Sequence, residues 1–551
     1  MADPSRQLLA RGQKALERAD WAAAREAFED AIAKGAGVAA RLGLADALWW
    51  LGDADALLEQ LEAAYREARC AGRVADVAWS ALYIAVCQET LFGNQPAAAG
   101  WCARGRRLIE EHGLEGLRSY GALFESMILE DAPEAARHAR EAMELGRRAG
   151  DADVELCALA QLGEIHIRRG RIREGIELLD EAMAGAIGGE GAHLATLVFA
   201  SCCMIRGCQD CAEFERARQW LHNSDRFCQR YDCPFLFVGC RTTYGALLFF
   251  SGNWPMAERE LRLAMLECGQ VAPVYFGEVL ATLADLRLAQ GRERDAQRLL
   301  ADRQEDPPTA VVRARLQLMR GDLDRAAHIA RHWRGALAGK PLVSARLQEV
   351  LGETALLRGD HEAAASIGRA LVEQGAAGGA VLSAYGRRLI GYAEEDTVAS
   401  REALESALTS FRQLGMPYEA ARSSFGLAQA LCETEPRMAL LEARTAEASF
   451  RALGAQRDAD LATALRRRLG DAGCTPGPRV VGELTKREQQ VMALLGDGLS
   501  NPAIAEHLCI SRRTVEHHVS SILDKRGLTN RAEIAAEAVR RDMEASATKN
   551  R

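Results

Sequence analysis

No run of this chain approaches the roughly eighteen apolar residues that a membrane-spanning helix needs. The longest candidate, Leu194 to Ile205, is closed off by His193 and Arg206 and reads as a buried helix. The N-terminus, MADPSRQLLARG, lacks the layout of a signal peptide, so a soluble, cytoplasmic protein is expected. A phosphate loop G-x-x-x-x-G-K-[ST] is missing as well: the only Gly-Lys, Gly339-Lys340, is followed by Pro341. Without that nest of backbone amides and its lysine, nucleotide hydrolysis has no seat. The alternating strands and helices of a phosphoacceptor receiver domain are absent from the start of the chain. So are a Ser-His-Asp layout, an H-E-x-x-H motif and a carboxylate pair on a plausible scaffold. No enzyme and no cofactor is expected. His166, His328 and His361 stand singly on helical segments and read as surface or packing residues.

Proline is scarce, 14 in 551 residues, while alanine, leucine, arginine and glutamate abound, so helix must dominate. A chain of this length is too long for one hydrophobic core and implies several domains or one extended solenoid. A general excess of basic charge is lacking too. The chain carries a net −8, of which residues 480–551 contribute +1 and residues 1–479 the remaining −9. The large part is therefore no polyanion binder, and any nucleic-acid contact of the small part must come from local placement of arginines.

The 15 cysteines are odd in number, scattered and mostly set in helical apolar faces, which suits reduced thiols in a cytosolic chain. One denser group comprises Cys202, Cys203, Cys208, Cys211, Cys228 and Cys233, with a C-x-x-C at Cys208 to Cys211. Zinc or redox chemistry is one reading of it. The spacing matches no recognised finger and cysteine is a common small core residue, so packing is expected instead.

Residues 1 to about 470 repeat a theme. A helix ends in Gly-Asp, Gly-Asn-Trp, Gly-Arg or Asp-Trp, and a second helix follows with alanine and a large apolar residue four apart. The first copy sets Gly12, Trp21, Ala24, Phe28 and Ala31; another sets Leu162, Gly163, Gly170, Leu179 and Ala182. The clearest sets Gly245, Leu248, Gly252, Trp254, Ala257, Leu261 and Ala264. Weaker copies run through Gly291, Gly321 and Gly359, and Phe411-x-x-Leu414-Gly415 returns as Phe450-x-x-Leu453-Gly454. Small residues let two antiparallel helices approach, glycine makes the turn, and the large residue plugs the space to the next hairpin. These positions resemble the tetratricopeptide repeat, with a generic α-solenoid as the alternative. Such a stack offers a curved inner surface to a protein, peptide or small-molecule effector. The aromatic stretch Arg226 to Tyr244 either lines a pocket there or fills the core between repeats, the latter being expected.

The helical pattern stops at Asp471-Ala-Gly-Cys-Thr-Pro-Gly-Pro478, a short, semi-stiff connector. Four short helices follow, each with its own cap. Thr485 and Glu488 form a capping box that starts the first near Lys486; Val491, Leu494 and Leu495 are its inner stripe, and Gly498 closes it. Ser500 caps the second, which tolerates Pro502 in its first turn and turns Ile504, Ala505 and Leu508 inward. Ser511 caps the third, whose inward positions are Val515, Val519, Ile522 and Leu523. Asn530 and Glu533 open the fourth with a second capping box. Two short helices joined by a tight turn are the geometry of helix-turn-helix docking.

The outer face of the third helix carries Arg512, Arg513, Glu516, His517, Ser520, Ser521 and Asp524. Arg512 and Arg513 add cationic side chains to the positive end of the helix dipole, which suits phosphate oxygens. Glu516, His517 and Ser520 would then face base edges in a major groove, where a glutamate accepts from the cytosine amine and is repelled by phosphates. A solvated face on a plain helical bundle is the competing reading, which four capped helices in this order disfavour.

Leu484, Thr485, Arg487, Glu488, Gly498, Ser500, Asn501, Ile504, Ala505, Leu508, Ile510, Ser511, Thr514, Val515, His518, Val519, Leu523, Lys525, Asn530 and Arg531 resemble the LuxR-type helix-turn-helix pattern. The resemblance covers about a ninth of the chain, densely and without gaps. It implies regulation of transcription, binding to double-stranded DNA as a homodimer on two half-sites, and a dimer contact through the fourth helix. It also implies phosphate contacts near Ser511, Thr514 and Lys525, with Asn530 and Arg531 counted among the DNA-binding residues. Glu516 and Ser520 depart from the family, many members of which carry lysine there, so the operator does not carry over.

The expected fold is all-α: a tetratricopeptide-like α-solenoid over 1–470, a linker over 471–482, a LuxR-type domain over 483–545 and a disordered tail over 546–551. The expected function is a DNA-binding transcriptional regulator whose repeat region senses a partner or effector and controls promoter binding. The alternative is an interaction scaffold that uses its helix-turn-helix for protein docking.

Overall fold

The computed structural model describes residues 4–129, 132–220, 238–268, 273–301, 306–376, 379–470 and 486–508, then 512, 515–516, 518–519, 522–523, 528 and 530–538. Among them every regular element is a helix, and none is long and apolar enough to cross a membrane. The chain divides into two compact units, Met1–Leu469 and Gly470–Arg551. The expected linker and tail lie outside the described residues.

The first unit is a succession of antiparallel helix pairs, from Pro4–Glu17 with Trp21–Ala33 to Pro417–Ala430 with Pro436–Leu453, followed by Gln456–Arg468. Turns inside and between the pairs are written in the sequence. Gly52, Gly150, Gly321 and Gly359 adopt left-handed φ of 73°, 69°, 79° and 78° and end one helix. The aspartate after each of them caps the next: Asp53, Asp151, Asp322 and Asp360 accept from Ala56, Val154, Arg325 and Ala363 amides. The first pair makes the same turn with Ala19 at φ 57° before Asp20, a conformation that costs an alanine its Cβ clash.

Pairs stack through the device that the sequence implies. Phe28, on the second helix of the first pair, lies against Gly12 of its own pair and Gly43 of the next. Leu179 repeats the arrangement between Gly163 and Gly207. At Gly163 the two helix backbones nearly touch, since an added Cβ would sit 2.8 Å from the carbonyl oxygen of Gly175. First helices also pack on first helices of the neighbouring pair, which makes them the inner layer of the stack.

The inner layer of the later pairs buries charge. Arg388 has no exposed side-chain surface; it donates to the carbonyl of Glu419 at 3.1 Å and to the Glu419 carboxylate at 2.7 Å, and also pairs with Glu349. Arg422 joins Glu353 at 2.6 Å and Glu419 at 3.1 Å, while Arg315 and Arg346 share Asp285. Burial alone would raise the Glu419 carboxyl, but Arg388 and Arg422 outweigh it and hold the group well below the carboxylate range. Such straps are specific rather than cheap: removal of one partner leaves the others charged in the interior.

The expectation of reduced thiols throughout fails at one pair. Cys202 and Cys240 sit on adjacent inner helices, Leu194–Cys211 and Val238–Phe250, with Cα atoms 5.6 Å apart, and form a disulfide. Side-by-side packing of two inner helices creates a proximity that sequence spacing does not reveal. Cys208 and Cys211 do not pair with each other. Both are buried in the core, Cys211 Sγ donates to the Gly207 carbonyl at 3.1 Å, and burial pushes its thiol up to about 12. Cys228 and Cys233 lie outside the described residues, as does 226–237 of the aromatic stretch; Tyr244 packs against the core. His166 is buried, and His328 and His361 are exposed.

Two measurements test this account. Ala19→Gly removes the left-handed penalty and should stabilise the first hairpin by about 1 kcal/mol, seen as slower amide exchange over 4–33. Unchanged or faster exchange there would contradict the turn assignment. The Arg287 guanidinium grips Glu258 at 2.6 and 2.8 Å and holds its carboxyl down from 4.5 to about 2, against the effect of burial. A depressed acid stabilises above its ordinary value and loses that contribution as pH falls towards its folded value. Glu258→Gln should therefore melt below wild type at neutral pH, with the gap closing between 4.5 and about 2.

Candidate nucleic-acid interface

The second unit begins, among the described residues, with the helix Lys486–Gly496. Val491, Met492 and Leu495 are buried on it, and Gly498 ends it with φ 80°. The helix Asn501–His507 follows; the hydroxyl of Ser500 accepts from the Ala503 amide at 3.4 Å, a long cap at the expected position. Ile504 and Ala505 are buried. Residues 512, 515–516, 518–519 and 522–523 are helical, and so is 531–538. Asn530 Oδ1 accepts from the Glu533 amide at 3.1 Å, the N-cap half of the expected capping box, while the Glu533 carboxylate accepts from the Asn530 side-chain Nδ2 at 3.0 Å rather than from its backbone amide.

One small core joins these helices. Val491, Met492, Leu495, Ile504, Ala505, Val515, Ile522 and Ile534 are its buried members, with Leu494, Leu508, Val519 and Leu523 packed around them. The inward stripe read from the sequence is therefore the core. Met492 and Ile534 were missing from it, although each is a large apolar residue next to or one turn beyond a stripe position. Thr485 lies outside the described residues; Glu488, its expected capping partner, is buried.

Of the ten expected DNA-binding residues, Arg512, Glu516, Asn530 and Arg531 are described. Ser511, Arg513, Thr514, His517, Ser520 and Lys525 lie outside the described residues. Arg512 and Glu516, expected to face phosphate and base separately, are instead paired: Arg512 Nε donates to Glu516 Oε1 at 2.9 Å, one helical turn apart. With side chains 71% and 48% exposed, that pair is worth only about 0.3–0.5 kcal/mol, so a phosphate can displace the glutamate. Arg531 is exposed. Its guanidinium donates to the Leu499 carbonyl and to Asn501 Oδ1 at 3.0 Å, tying the fourth helix to the start of the second.

Residues 482–538 match the family model described as bacterial regulatory proteins, luxR family. The transcriptional regulatory protein DegU of Brevibacillus brevis is 44% identical over 57 residues, 10% of this chain and 24% of that protein. The transcriptional regulatory protein LnrK of Bacillus subtilis is 44% identical over 63 residues, 11% of this chain and 29% of that one. The chain thus spans about a quarter of the length of these curated relatives. Among solved structures, a chain of the APC/C hetero-tetramer Cut9-Hcn1 overlaps 84% of this chain and 96% of its own length, at 12% identity and a TM-score of 0.32. That score carries no argument about the repeat region, whose description rests on its own helix pairs. Residues 482–538 are a LuxR-type helix-turn-helix domain, following a tetratricopeptide-like region of helical hairpins.

Proposed function

We propose that the protein is a cytoplasmic DNA-binding transcriptional regulator whose repeat region senses a partner or effector and thereby controls promoter binding. The observation that carries this reading is the luxR-family match over 482–538 on four short helices around a single core. The third helix enters the major groove. Arg512 and Arg513, with Ser511, Thr514 and Lys525, hold phosphates, and Glu516, His517 and Ser520 face base edges. Asn530 acts by capping the fourth helix through Glu533, and Arg531 by fixing that helix against the second through Asn501 and Leu499.

A near-neutral domain binds weakly as a monomer, so two copies on two half-sites supply the affinity. Effector control is a population shift: the ligand must prefer the DNA-competent arrangement, or it changes nothing.

Affinity for genomic duplex should fall steeply with salt, roughly one power of concentration per phosphate contact. A protein that retains no duplex even in dilute salt would be an interaction scaffold instead. Within the reading helix, Arg513→Ala should weaken all duplexes alike. Glu516→Ala frees Arg512 for phosphate, so it should raise binding to unrelated duplex while relaxing preference at one base pair by about 1–3 kcal/mol. An equal effect of Glu516→Ala on matched and mismatched sites, or a sequence-dependent effect of Arg513→Ala, would refute these roles.

A further inference from the structure

Among the described residues one pair of cysteines is bonded, Cys202 to Cys240, and nine cysteines are free. Cys70 is free at the surface, and most of the others are buried. An oxidising surround seldom leaves so many thiols unpaired, so this usage fits a reducing one. Disulfides are uncommon there, and those that form are mostly transient or redox-sensing. The bond is not what holds its two helices. Leu194–Cys211 gives Leu197, Ala200, Met204 and Ile205 to the same core that takes Leu247 from Val238–Phe250. Charge fastens each helix as well: Arg206 to Glu164 at 2.7 Å, and Arg241 to Glu260 and Glu267 at 2.9 and 3.2 Å. Opening the sulfur bridge therefore loosens one joint between consecutive hairpins and leaves the stack folded.

The two sulfurs differ in access. Cys202 is partly exposed, whereas Cys240 is only 5% exposed. A dissolved thiol or disulfide reaches the first and not the second. Neighbouring thiols on the same helix do not compete: burial pushes Cys203, Cys208 and Cys211 up, the last to about 12, so none supplies a thiolate near neutral pH.

We propose that Cys202 and Cys240 form a reversible thiol–disulfide switch set by the ratio of small thiols to small disulfides, with Cys202 as the attacking and Cys240 as the resolving residue. In the closing direction the Cys202 thiolate attacks one sulfur of a small disulfide RSSR, a Cys202–S–S–R bond forms and RS⁻ leaves. The Cys240 thiolate then attacks the Cys202 sulfur and expels the second RS⁻. The two protons shed by the cysteines pass to the two RS⁻, and the two electrons lost by the protein reduce RSSR to two RSH. Opening runs the same steps backwards, with a small thiolate striking Cys202. Closed, the bond pins the middle of Leu194–Cys211 to the first turn of Val238–Phe250; open, the helices keep their packing and gain freedom to slide. The proposal deepens the reading of the repeat region as a sensor, and rests on it only for the consequence at DNA.

The full chain without DNA, equilibrated in mixtures of reduced and oxidised glutathione and then acid-quenched and alkylated, tests the switch by itself. Peptide mass mapping should show Cys202 and Cys240 passing together between bonded and alkylated forms, without denaturant. Amide exchange over 194–211 and 238–250 should be about tenfold faster in the open form, and exchange over 4–33 unchanged. With oxidised glutathione, Cys240→Ser should accumulate a glutathione adduct at Cys202, whereas Cys202→Ser should leave Cys240 largely unmodified. A bond that survives millimolar reduced glutathione, a pair that never closes in oxidised glutathione, equal exchange in the two forms, or an adduct on Cys240 as readily as on Cys202 would overturn the proposal. A switch that opens and closes in a protein that retains no duplex would stand, and only the regulator reading would sink.

Discussion

Everything in the first unit depends on how closely two helix backbones can approach. A large side chain on the second helix of one pair fills the notch that glycines leave on its own pair and on the next, as Phe28 does between Gly12 and Gly43. Each pair buries its apolar stripe only by meeting its neighbour, so no hairpin is stable by itself and the stack is held pairwise. The Gly-Asp turns serve the same end: a left-handed glycine reverses the chain in few residues, and the aspartate satisfies the amides that the reversal exposes. Regular stacking then forces the first helices into one inner layer, and that layer is where the chemistry of the repeat region concentrates.

The inner layer changes character along the chain. From Asp285 to Arg422 it carries two groups of arginine–carboxylate bonds, each spanning several pairs. Near the N-terminus it carries a row of aromatic side chains instead. Between them the Cys202–Cys240 disulfide ties adjacent inner helices.

The second unit follows the same logic at smaller scale. Eight buried apolar side chains from four short helical segments fix the third one, and Arg531 crosses from the fourth helix to the chain just ahead of the second. On the proposed function, the Arg512–Glu516 pair makes the two side chains compete, because an arginine held by its own glutamate would bind phosphate only after exchange of partners.

Local rules were legible in the sequence because they act over one or two turns: the hairpin turns, the notch-filling residues, the inward stripe of Val491, Leu495, Ile504, Val515 and Ile522, and the Asn530–Glu533 cap. The Arg512–Glu516 bond was legible too, by its spacing of four, although the two residues were assigned separate tasks. Period and capping determine which face of a helix is buried, and composition pointed to a chain dominated by helix. Only the tertiary structure decided which helices lie side by side, and hence that Cys202 meets Cys240 and that Arg531 reaches Leu499. Those contacts join residues 38 and 32 positions apart, where no periodicity couples them and only the packing of the intervening helices fixes the distance.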